Sequence, residues 1–164
     1  MSANPPAIQS PALVTAGAVG LFESLADGPQ AAADLAERLR CDPRGIQRLA
    51  ELLVTMGYLE READRYVLST VARATYTADG ELPLTRWLRF CETQLKALGH
   101  LTESVRKGRG VDLFDLMPGP EERLDHQHAM AQTARPAAEW VADEVPVPHG
   151  ARRLLDVGGG HGIY

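Results

Sequence analysis

The sequence predicts a mainly α-helical chain that ends in the first strand and glycine-rich loop of an α/β domain. Apolar residues recur every three or four positions through most of its 164 residues, which is the period of amphipathic helices. Two short segments near residue 60 have the composition of a β-hairpin. The last dozen residues run from an apolar stretch through a carboxylate into glycines, as a buried parallel strand and a tight loop do.

Composition and charge restrict the kind of protein. With 45% hydrophobic and 24% charged residues, the chain has the composition of an ordinary globular protein. It has no apolar run near the ~20 residues needed to span a bilayer and no signal peptide pattern at its start, so we expect a cytoplasmic location. Cys41 and Cys91 lack C-x-x-C spacing, as expected in a reducing compartment. The net charge of −5 argues against nucleic acid or an anionic membrane as a partner.

Three helices are predicted before residue 58. The first covers Ser10–Leu25 and ends at the Asp-Gly-Pro sequence just beyond it. The second covers Ala32–Leu39. The third starts with Asp42 as N-cap and Pro43 as its first residue, and Gly57 ends it.

A hairpin follows, with strands at Tyr58–Glu62 and Arg65–Leu68. Three helices and a hairpin are the order of a winged-helix domain, a fold common in DNA-binding regulators. A protein that reads duplex DNA needs several Lys or Arg side chains that no acidic neighbour compensates. The third helix and the hairpin are near neutral or acidic, so DNA binding is the less favoured interpretation. The third helix has Arg44 and Arg48 against Asp42 and Glu51, and the hairpin has Arg61 and Arg65 against Glu60, Glu62 and Asp64.

The second half of the chain reads as a loop, several helices and a linker. Residues 72–81 are small and polar and predict a loop, and Leu82–Val105 predict a long helix or a helix pair. Pro120–Gln132 and Ala137–Val145 predict two further helices, before a proline-rich linker to residue 150. The expected inward residues are Leu84, Trp87, Leu88, Cys91, Leu95 and Leu98 in the first segment, Leu124, His128 or Gln127 and Ala131 in the second, and Ala138, Trp140 and Val141 in the third.

His126 and His128, next to Asp125, raise the question of a metal site. Residues two apart on a helix point in nearly opposite directions, so these imidazoles cannot ligate one ion. No third ligand stands at a suitable spacing, and we expect no metal site.

The glycine-rich end has the pattern D-x-G-x-G-x-G, formed by Asp156, Gly158, Gly160 and Gly162. Glycine adopts positive φ and has no Cβ, so a ligand can lie directly against such a backbone. Asp156 stands at the carboxyl end of the predicted strand, where open α/β sheets bind nucleotides. The pattern differs from the dinucleotide fingerprint, because Ile163 occupies the place of its third glycine.

These residues resemble the first motif of S-adenosylmethionine-dependent methyltransferases. The run Leu155-Asp156-Val157-Gly158-Gly159-Gly160, continued by Gly162, is similar to that of small-molecule O-methyltransferases of the plant caffeate type and of bacterial polyketide tailoring. The resemblance implies that Gly158, Gly159, Gly160 and Gly162 pack against S-adenosylmethionine, with Asp156 in support.

The N-terminal segment is similar to the same family, in which a winged-helix-like module serves dimerisation instead of DNA binding. The resemblance implies a homodimer through the N-terminal helices and an acceptor hydroxyl on a small aromatic or polyketide-like molecule. The matching residues are Leu21–Pro29, Leu35-Ala36, Arg48-Leu49 and Gly57-Tyr58-Leu59.

The resemblance also points to residues that would line the substrate pocket. Phe114 is similar to an aromatic residue of the family, and Met130 to a methionine in its pocket. His126 stands where the family often has an aromatic residue, so it could hydrogen-bond a phenolic or keto substrate or face solvent. The family's catalytic base and ribose-binding acid would lie beyond residue 164, so the catalytic residue is unknown.

Together these observations predict a winged-helix-like dimerisation domain with its following helices (10–105), linking helices (106–150) and the start of a Rossmann-like α/β domain (151–164). We expect the 164-residue chain to be catalytically inactive and to be the N-terminal part of an O-methyltransferase. The alternatives are a non-catalytic dimerisation module, a relative that has drifted to hydroxylation or decarboxylation, and a winged-helix regulator.

Overall fold

A computed structural model describes residues 11–81 and 83–163 of the chain. Ser10, Leu82 and Tyr164, which begin or end predicted segments, lie outside the described residues. Within those ranges the chain is mainly helical, with one small sheet. The α-helices are α1 (Pro11–Ala18), α2 (Leu21–Leu25), α3 (Ala32–Leu39), α4 (Pro43–Thr55), α5 (Thr70–Tyr76), α6 (Thr85–Gly99), α7 (Leu101–Lys107) and α8 (Pro120–Glu144), the strands are β1 (Gln30–Ala31), β2 (Leu59–Glu62) and β3 (Arg65–Leu68), and a 3₁₀ helix covers Leu113–Leu116.

The predicted limits of α4 are confirmed. The Asp42 carboxylate accepts hydrogen bonds from the backbone N–H groups of Arg44 and Gly45, both at 2.9 Å, and Pro43 opens the helix. Gly57 follows the helix with φ of 79°, the left-handed conformation that ends many helices.

The first predicted helix is in fact two helices. Gly20 adopts φ of 79° between α1 and α2, and this left-handed residue turns the chain. The break lets both short helices pack on the core, where Leu13 and Phe22 are fully buried.

The predicted loop at residues 72–81 is wrong for its first half, which forms α5. Ser69 caps this helix, since its Oγ accepts a hydrogen bond from Ala72 N at 3.3 Å. Ala72 and Tyr76 are both buried. Tertiary packing of these two residues stabilises a helix that the small polar sequence did not indicate.

The sheet is antiparallel, with strand order β1-β3-β2. The predicted hairpin is present, and its register pairs Leu59 with Leu68 and Glu62 with Arg65. The two-residue strand β1 was not predicted and adds to β3, opposite Tyr66.

The main core lies between α1–α5, the sheet and one face of α6. Tyr76 stacks near its centre, with ring centroids 5.0 Å from Phe22 and 5.8 Å from Tyr58. Gly17 of α1 allows a close approach of α6, because a Cβ at this position would lie 2.5 Å from Leu88 Cδ2. Helix α6 is the first helix of the predicted helix pair. One side of α6 packs on this core and another side packs on α8.

The two helices predicted between residues 120 and 145 are one continuous helix, α8, with Pro136 inside it. Ala134 and Ala138 are buried on either side of the proline, so packing holds the helix together where its own hydrogen bonding is interrupted. The buried residues of the helix include Ala129 and not the predicted Leu124, which is 53% exposed.

Other residues predicted to face inward are exposed as well. Leu98 near the end of α6 is 61% exposed and Trp140 near the end of α8 is 63% exposed. Hydrophobic periodicity identified the helices, but it did not tell which apolar residues find a packing partner in the described part of the chain.

The predicted strand before the glycines is absent from the structure. Residues 151–156 have no regular secondary structure, and Leu154, Leu155 and Val157 are 86 to 87% exposed. A strand needs a neighbour to pair its N–H and C=O groups, and none of the described strands lies beside this segment. No helix within residues 11–81 and 83–163 is long and apolar enough to cross a membrane.

Candidate functional site

The glycine segment, defined here as residues 156–162, has the backbone that its sequence predicts. Gly158, Gly160 and Gly162 have φ of 78°, 52° and 63°, all in the left-handed region. Side chains at these positions would strain the backbone. The N–H of Gly162 donates a hydrogen bond to Gly159 O at 2.7 Å, which closes a tight turn.

Asp156 lies against the first turn of this segment. A Cβ on Gly159 would collide with the Asp156 carboxylate, so the residue at 159 has to be small for the carboxylate to keep its place. Asp156, Gly158 and Gly160 are exposed, and Gly159 is partly buried. The segment thus presents a carboxylate and bare backbone to solvent.

A second cluster of apolar side chains, here called the Phe90 cluster, lies where α6, the 3₁₀ helix and α8 meet. Phe90, Met117 and Ala129 are its buried centre, with exposures of 4%, 0% and 0%. Trp87, Leu113 and Met130 pack around them and are partly buried. Trp87 and Phe90 contact each other, with ring centroids 5.7 Å apart.

The three residues that the resemblance suggested as substrate-lining all lie at this cluster. The His126 ring lies 4.7 Å from that of Phe90, and the Phe114 ring stands edge-on to His126 at 6.0 Å. Phe114 is 51% exposed, and Met130 is partly buried. The structure brings these side chains together, and a role in substrate binding stays a prediction.

His126 is neither solvent-exposed nor hydrogen-bonded through Nδ1. This nitrogen is buried and has no hydrogen-bond partner, and neither has Trp87 Nε1 in the same cluster. Buried polar atoms in proteins are nearly always paired, so two unpaired nitrogens in one apolar cluster are unusual.

Polar contacts between α6 and α8 hold the cluster in place. The N–H of Trp87 donates to Gln132 Oε1 at 3.1 Å, so a side chain of α8 caps the start of α6, where Leu84 offers no capping side chain. Arg86 forms a salt bridge with Asp125 of α8.

The 3₁₀ helix is fixed from both of its ends. Asp112 caps it, since its carboxylate accepts a hydrogen bond from Phe114 N at 2.9 Å. At the other end Arg123 Nε donates to Met117 O at 3.1 Å. These bonds place Phe114 at the outer edge of the cluster.

An open cleft of about 520 Å³ runs along one side of the Phe90 cluster, between α6 and the start of α8. Its charged side chains are of both signs, and two of them, Lys96 and Glu92, form a salt bridge of 3.0 Å. It is lined by Ala18, Arg89, Phe90, Glu92, Thr93, Lys96, Leu116, Pro118, Glu122 and Asp125.

The described residues contain no group of three or more His, Cys, Asp or Glu side chains placed to hold a metal ion. His126 packs in the Phe90 cluster, whereas His128 is exposed on another face of α8. The two imidazoles therefore point apart, as their spacing on a helix requires.

The sequence analysis missed the buried centre of this cluster, which is formed by Phe90, Met117 and Ala129. Phe90 lies outside the single apolar stripe predicted for α6, and Met117 lies before the helix predicted to start at Pro120. The Trp87 and Phe90 spacing of three residues could have indicated a second apolar face on α6.

Comparison with known proteins identifies the N-terminal part of the chain. The O-methyltransferase dimerisation domain family matches residues 7–78. Within these residues the chain is similar to the dimerisation domain of the O-methyltransferases. The matched residues include helices α1 to α5 and the three strands, and end before α6.

Curated relatives extend the similarity along the chain. It is 31% identical to the S-adenosyl-L-methionine-dependent methyl transferase PigF of Serratia sp. (strain ATCC 39006), over 94% of this chain and 47% of PigF. It is 30% identical to the 3-amino-4-hydroxybenzoate 4-O-methyltransferase of Streptomyces cremeus, over 92% of this chain and 44% of that enzyme. The chain thus spans about half the length of the curated relatives it matches.

Solved structures agree with this assignment. The structure of PigF with SAH has a TM-score of 0.68 and 30% identity, covering 81% of this chain and 43% of PigF. An O-methyltransferase family protein from Burkholderia thailandensis has the same fold, with a TM-score of 0.77 over 94% of this chain and 47% of its own at 22% identity.

Proposed function

We propose that this chain is the N-terminal part of an S-adenosylmethionine-dependent O-methyltransferase that acts on a hydroxyl of a small aromatic or polyketide-like molecule. The observation that carries the proposal is the turn of three positive-φ glycines behind Asp156, in a chain that begins with an O-methyltransferase dimerisation domain. The chain alone is expected to be inactive, because one segment of an α/β domain provides no complete cofactor site.

In this proposal the glycine segment binds the cofactor. Gly158, Gly159, Gly160 and Gly162 would let S-adenosylmethionine lie against backbone, and Asp156 would accept hydrogen bonds close to it. The exposed residues Leu154, Leu155 and Val157 would become the first strand once further strands lie beside them. S-adenosylmethionine supplies the methyl group, and this chain's glycines and carboxylate would position it.

The experiment is calorimetry with S-adenosylhomocysteine on the protein extended through the residues encoded after Tyr164. We expect binding by the extended protein and a loss of more than about tenfold in affinity in Gly160→Val, which puts a branched side chain at positive φ. Gly150→Val is the matched control, because Gly150 also has positive φ (83°) and open space around it but lies in the linker. No binding by the extended protein would refute the cofactor proposal.

The dimerisation domain further suggests a homodimer through the N-terminal helices and those that follow them. Leu98, Leu101 and Val105, at the end of α6 and along α7, are 61%, 57% and 75% exposed. Large apolar side chains that are exposed close together are typical of a protein interface. We propose that these residues continue the dimer interface beyond the matched domain.

Val105→Glu tests this interface against a matched control. Val105 and Val147 are both valines with 75% exposure, but Val147 lies in the linker. Sedimentation equilibrium should find a dimer for the unchanged chain and for Val147→Glu, and a weakened dimer for Val105→Glu. A monomeric unchanged chain, or a dimer unaffected by Val105→Glu, would contradict the proposal.

Phe114, His126 and Met130 are proposed to line the acceptor site. Their support is their common position at the Phe90 cluster, with Phe114 half-exposed at its edge.

The domain limits proposed are 10–105, 106–150 and 151–164. The cytoplasmic location proposed agrees with the free thiols of Cys41 and Cys91.

Two other functions differ in what they predict. A dimerisation module complete at this length predicts a stop codon directly after Tyr164, whereas the enzyme predicts further βα units. We propose a winged-helix fold for the N-terminal domain. If the protein were a winged-helix regulator, it would bind duplex DNA in a salt-dependent way. The hairpin arginines are already engaged, since Arg61 Nε donates to Ala63 O and Arg65 to Pro29 O, so we expect no DNA binding even at low salt.

A further inference from the structure

The nitrogen Nδ1 of His126 is one of three buried side-chain polar atoms in the described residues that have no hydrogen-bond partner, with Trp87 Nε1 and Glu23 Oε2. It is buried and has no hydrogen-bond partner, although an imidazole nitrogen is always either a donor or an acceptor. Native proteins rarely leave such an atom unpaired, and an exception calls for an explanation in function or in a bound molecule.

The side chains around His126 cannot satisfy this nitrogen. The rings of Phe90 at 4.7 Å and Phe114 at 6.0 Å offer only carbon. Asp125, the residue before His126 in α8, pairs with Arg86. No described residue bonds to Nδ1, so a bound molecule or a water would supply its partner.

The shape of the cluster indicates what kind of partner fits. Phe114 is 51% exposed, so a flat ring can pack against it beside His126. A second unpaired nitrogen, Trp87 Nε1, lies on the other neighbour of Phe90 and is a donor only. A molecule with an aromatic ring and a hydroxyl or carbonyl oxygen would match both the rings and the unpaired nitrogen.

We propose that His126 is a specificity-determining residue, which selects the acceptor by a hydrogen bond from or to its Nδ1. This inference rests on the proposed function, since it assigns the role of one residue within the acceptor site. A site built for such a bond disfavours an analogue that lacks the oxygen, because the nitrogen then remains unpaired.

The test compares two probes on the 164-residue chain: p-cresol, with a hydroxyl, and toluene, without one. The measured quantity is the dissociation constant of toluene divided by that of p-cresol. We expect this ratio to be about tenfold larger in the unchanged chain than in His126→Phe, which keeps a ring and loses the nitrogen. We also expect the ¹⁵N resonance of His126 Nδ1 to move with p-cresol and not with toluene.

Two variants separate binding from folding. His126→Gln keeps a hydrogen-bonding group and should retain part of the preference, whereas His128→Phe, on the exposed face of α8, should retain all of it. An unchanged ratio in His126→Phe, a static Nδ1 resonance, or no binding of either probe would overturn the inference. If neither probe binds, the hydrogen-bond partner of Nδ1 is an ordered water only.

The experiments distinguish a wrong role for His126 from a wrong cofactor proposal. S-adenosylhomocysteine binding by the extended protein does not depend on His126. If that binding is found and the probe ratio does not change, only the role of His126 is wrong. If that binding is absent, the cofactor proposal is wrong whatever the probes do.

Discussion

The main core and the glycine segment contain similar apolar residues in opposite environments. In the core, Leu25 and Leu53 are fully buried between helices of the described chain. Beside the glycine segment, Leu154 and Leu155 are 87% and 86% exposed. Sequence pattern alone would bury all four.

The difference follows from where each element finds its hydrogen bonds. A helix pairs its backbone groups within itself and needs neighbours only for its apolar face. A strand needs another strand for its backbone and two covered faces for its side chains when it is parallel. A local pattern can therefore form α4 but cannot form a parallel strand without the rest of the sheet.

The largest expected effect comes from the same substitution made in both regions. Leu25→Ala leaves a cavity in the core and should lower the free energy of unfolding by about 2–5 kcal/mol. Leu155→Ala should change it by less than about 0.5 kcal/mol, since the side chain is exposed. Urea unfolding followed by circular dichroism measures both, and equal effects would remove the contrast between the regions.

The contact between α1 and α6 can be tested with two helical glycines. In Gly17→Ala the new methyl group would lie 2.5 Å from Leu88 Cδ2, so we expect a loss of about 1–3 kcal/mol in unfolding free energy. Gly99→Ala meets no atom within 4 Å and should be neutral or stabilising, since alanine favours helix. A neutral Gly17→Ala would show that the helices are packed less closely.

The core should also weaken in alkaline solution. Burial, with the neighbouring Tyr58 hydroxyl, raises the pKa of Tyr76 well above its usual 10.0. Above this usual value the unfolded chain loses the proton that the folded chain keeps, so the free energy of unfolding falls as the pH rises. The urea midpoint should be lower at about pH 11 than at about pH 8, and less so in Tyr76→Phe.

The exposed residues of the glycine segment should not contribute to this alkaline weakening. Chemical labelling of the two cysteine thiols tests the same core, with a smaller expected effect. Burial raises the pKa of the Cys91 thiol to about 11, whereas Cys41 is partly exposed. A thiol reagent should therefore modify Cys41 in the native chain and Cys91 only on unfolding. Rapid reaction at both cysteines would mean that the contact of α6 with the core opens easily.

The sequence was most informative where a local signal decides the structure. Asp42, Pro43 and Gly57 defined α4, because capping and left-handed termination depend on neighbouring residues only. The predictions were wrong where packing decides the structure. The predicted loop at 72–81 forms α5 in part, because Ala72 and Tyr76 are buried, and the two predicted helices are one helix, α8, that continues through Pro136.

The candidate site shows the same division. The positive φ values of Gly158, Gly160 and Gly162 follow from the glycine spacing. The meeting of His126 with Phe90 does not, because it depends on how α6 and α8 cross. No sequence pattern marks a buried nitrogen as unpaired, since that depends on every neighbour in space.

Amide hydrogen exchange at Leu154, Leu155 and Val157 tests the proposal that these residues become the first strand of an α/β domain when further strands lie beside them. In the 164-residue chain we expect these amides to exchange as fast as in an unfolded peptide, and in the extended protein with S-adenosylhomocysteine to be protected. Protection in the 164-residue chain, or rapid exchange in the extended protein with ligand bound, would contradict this account.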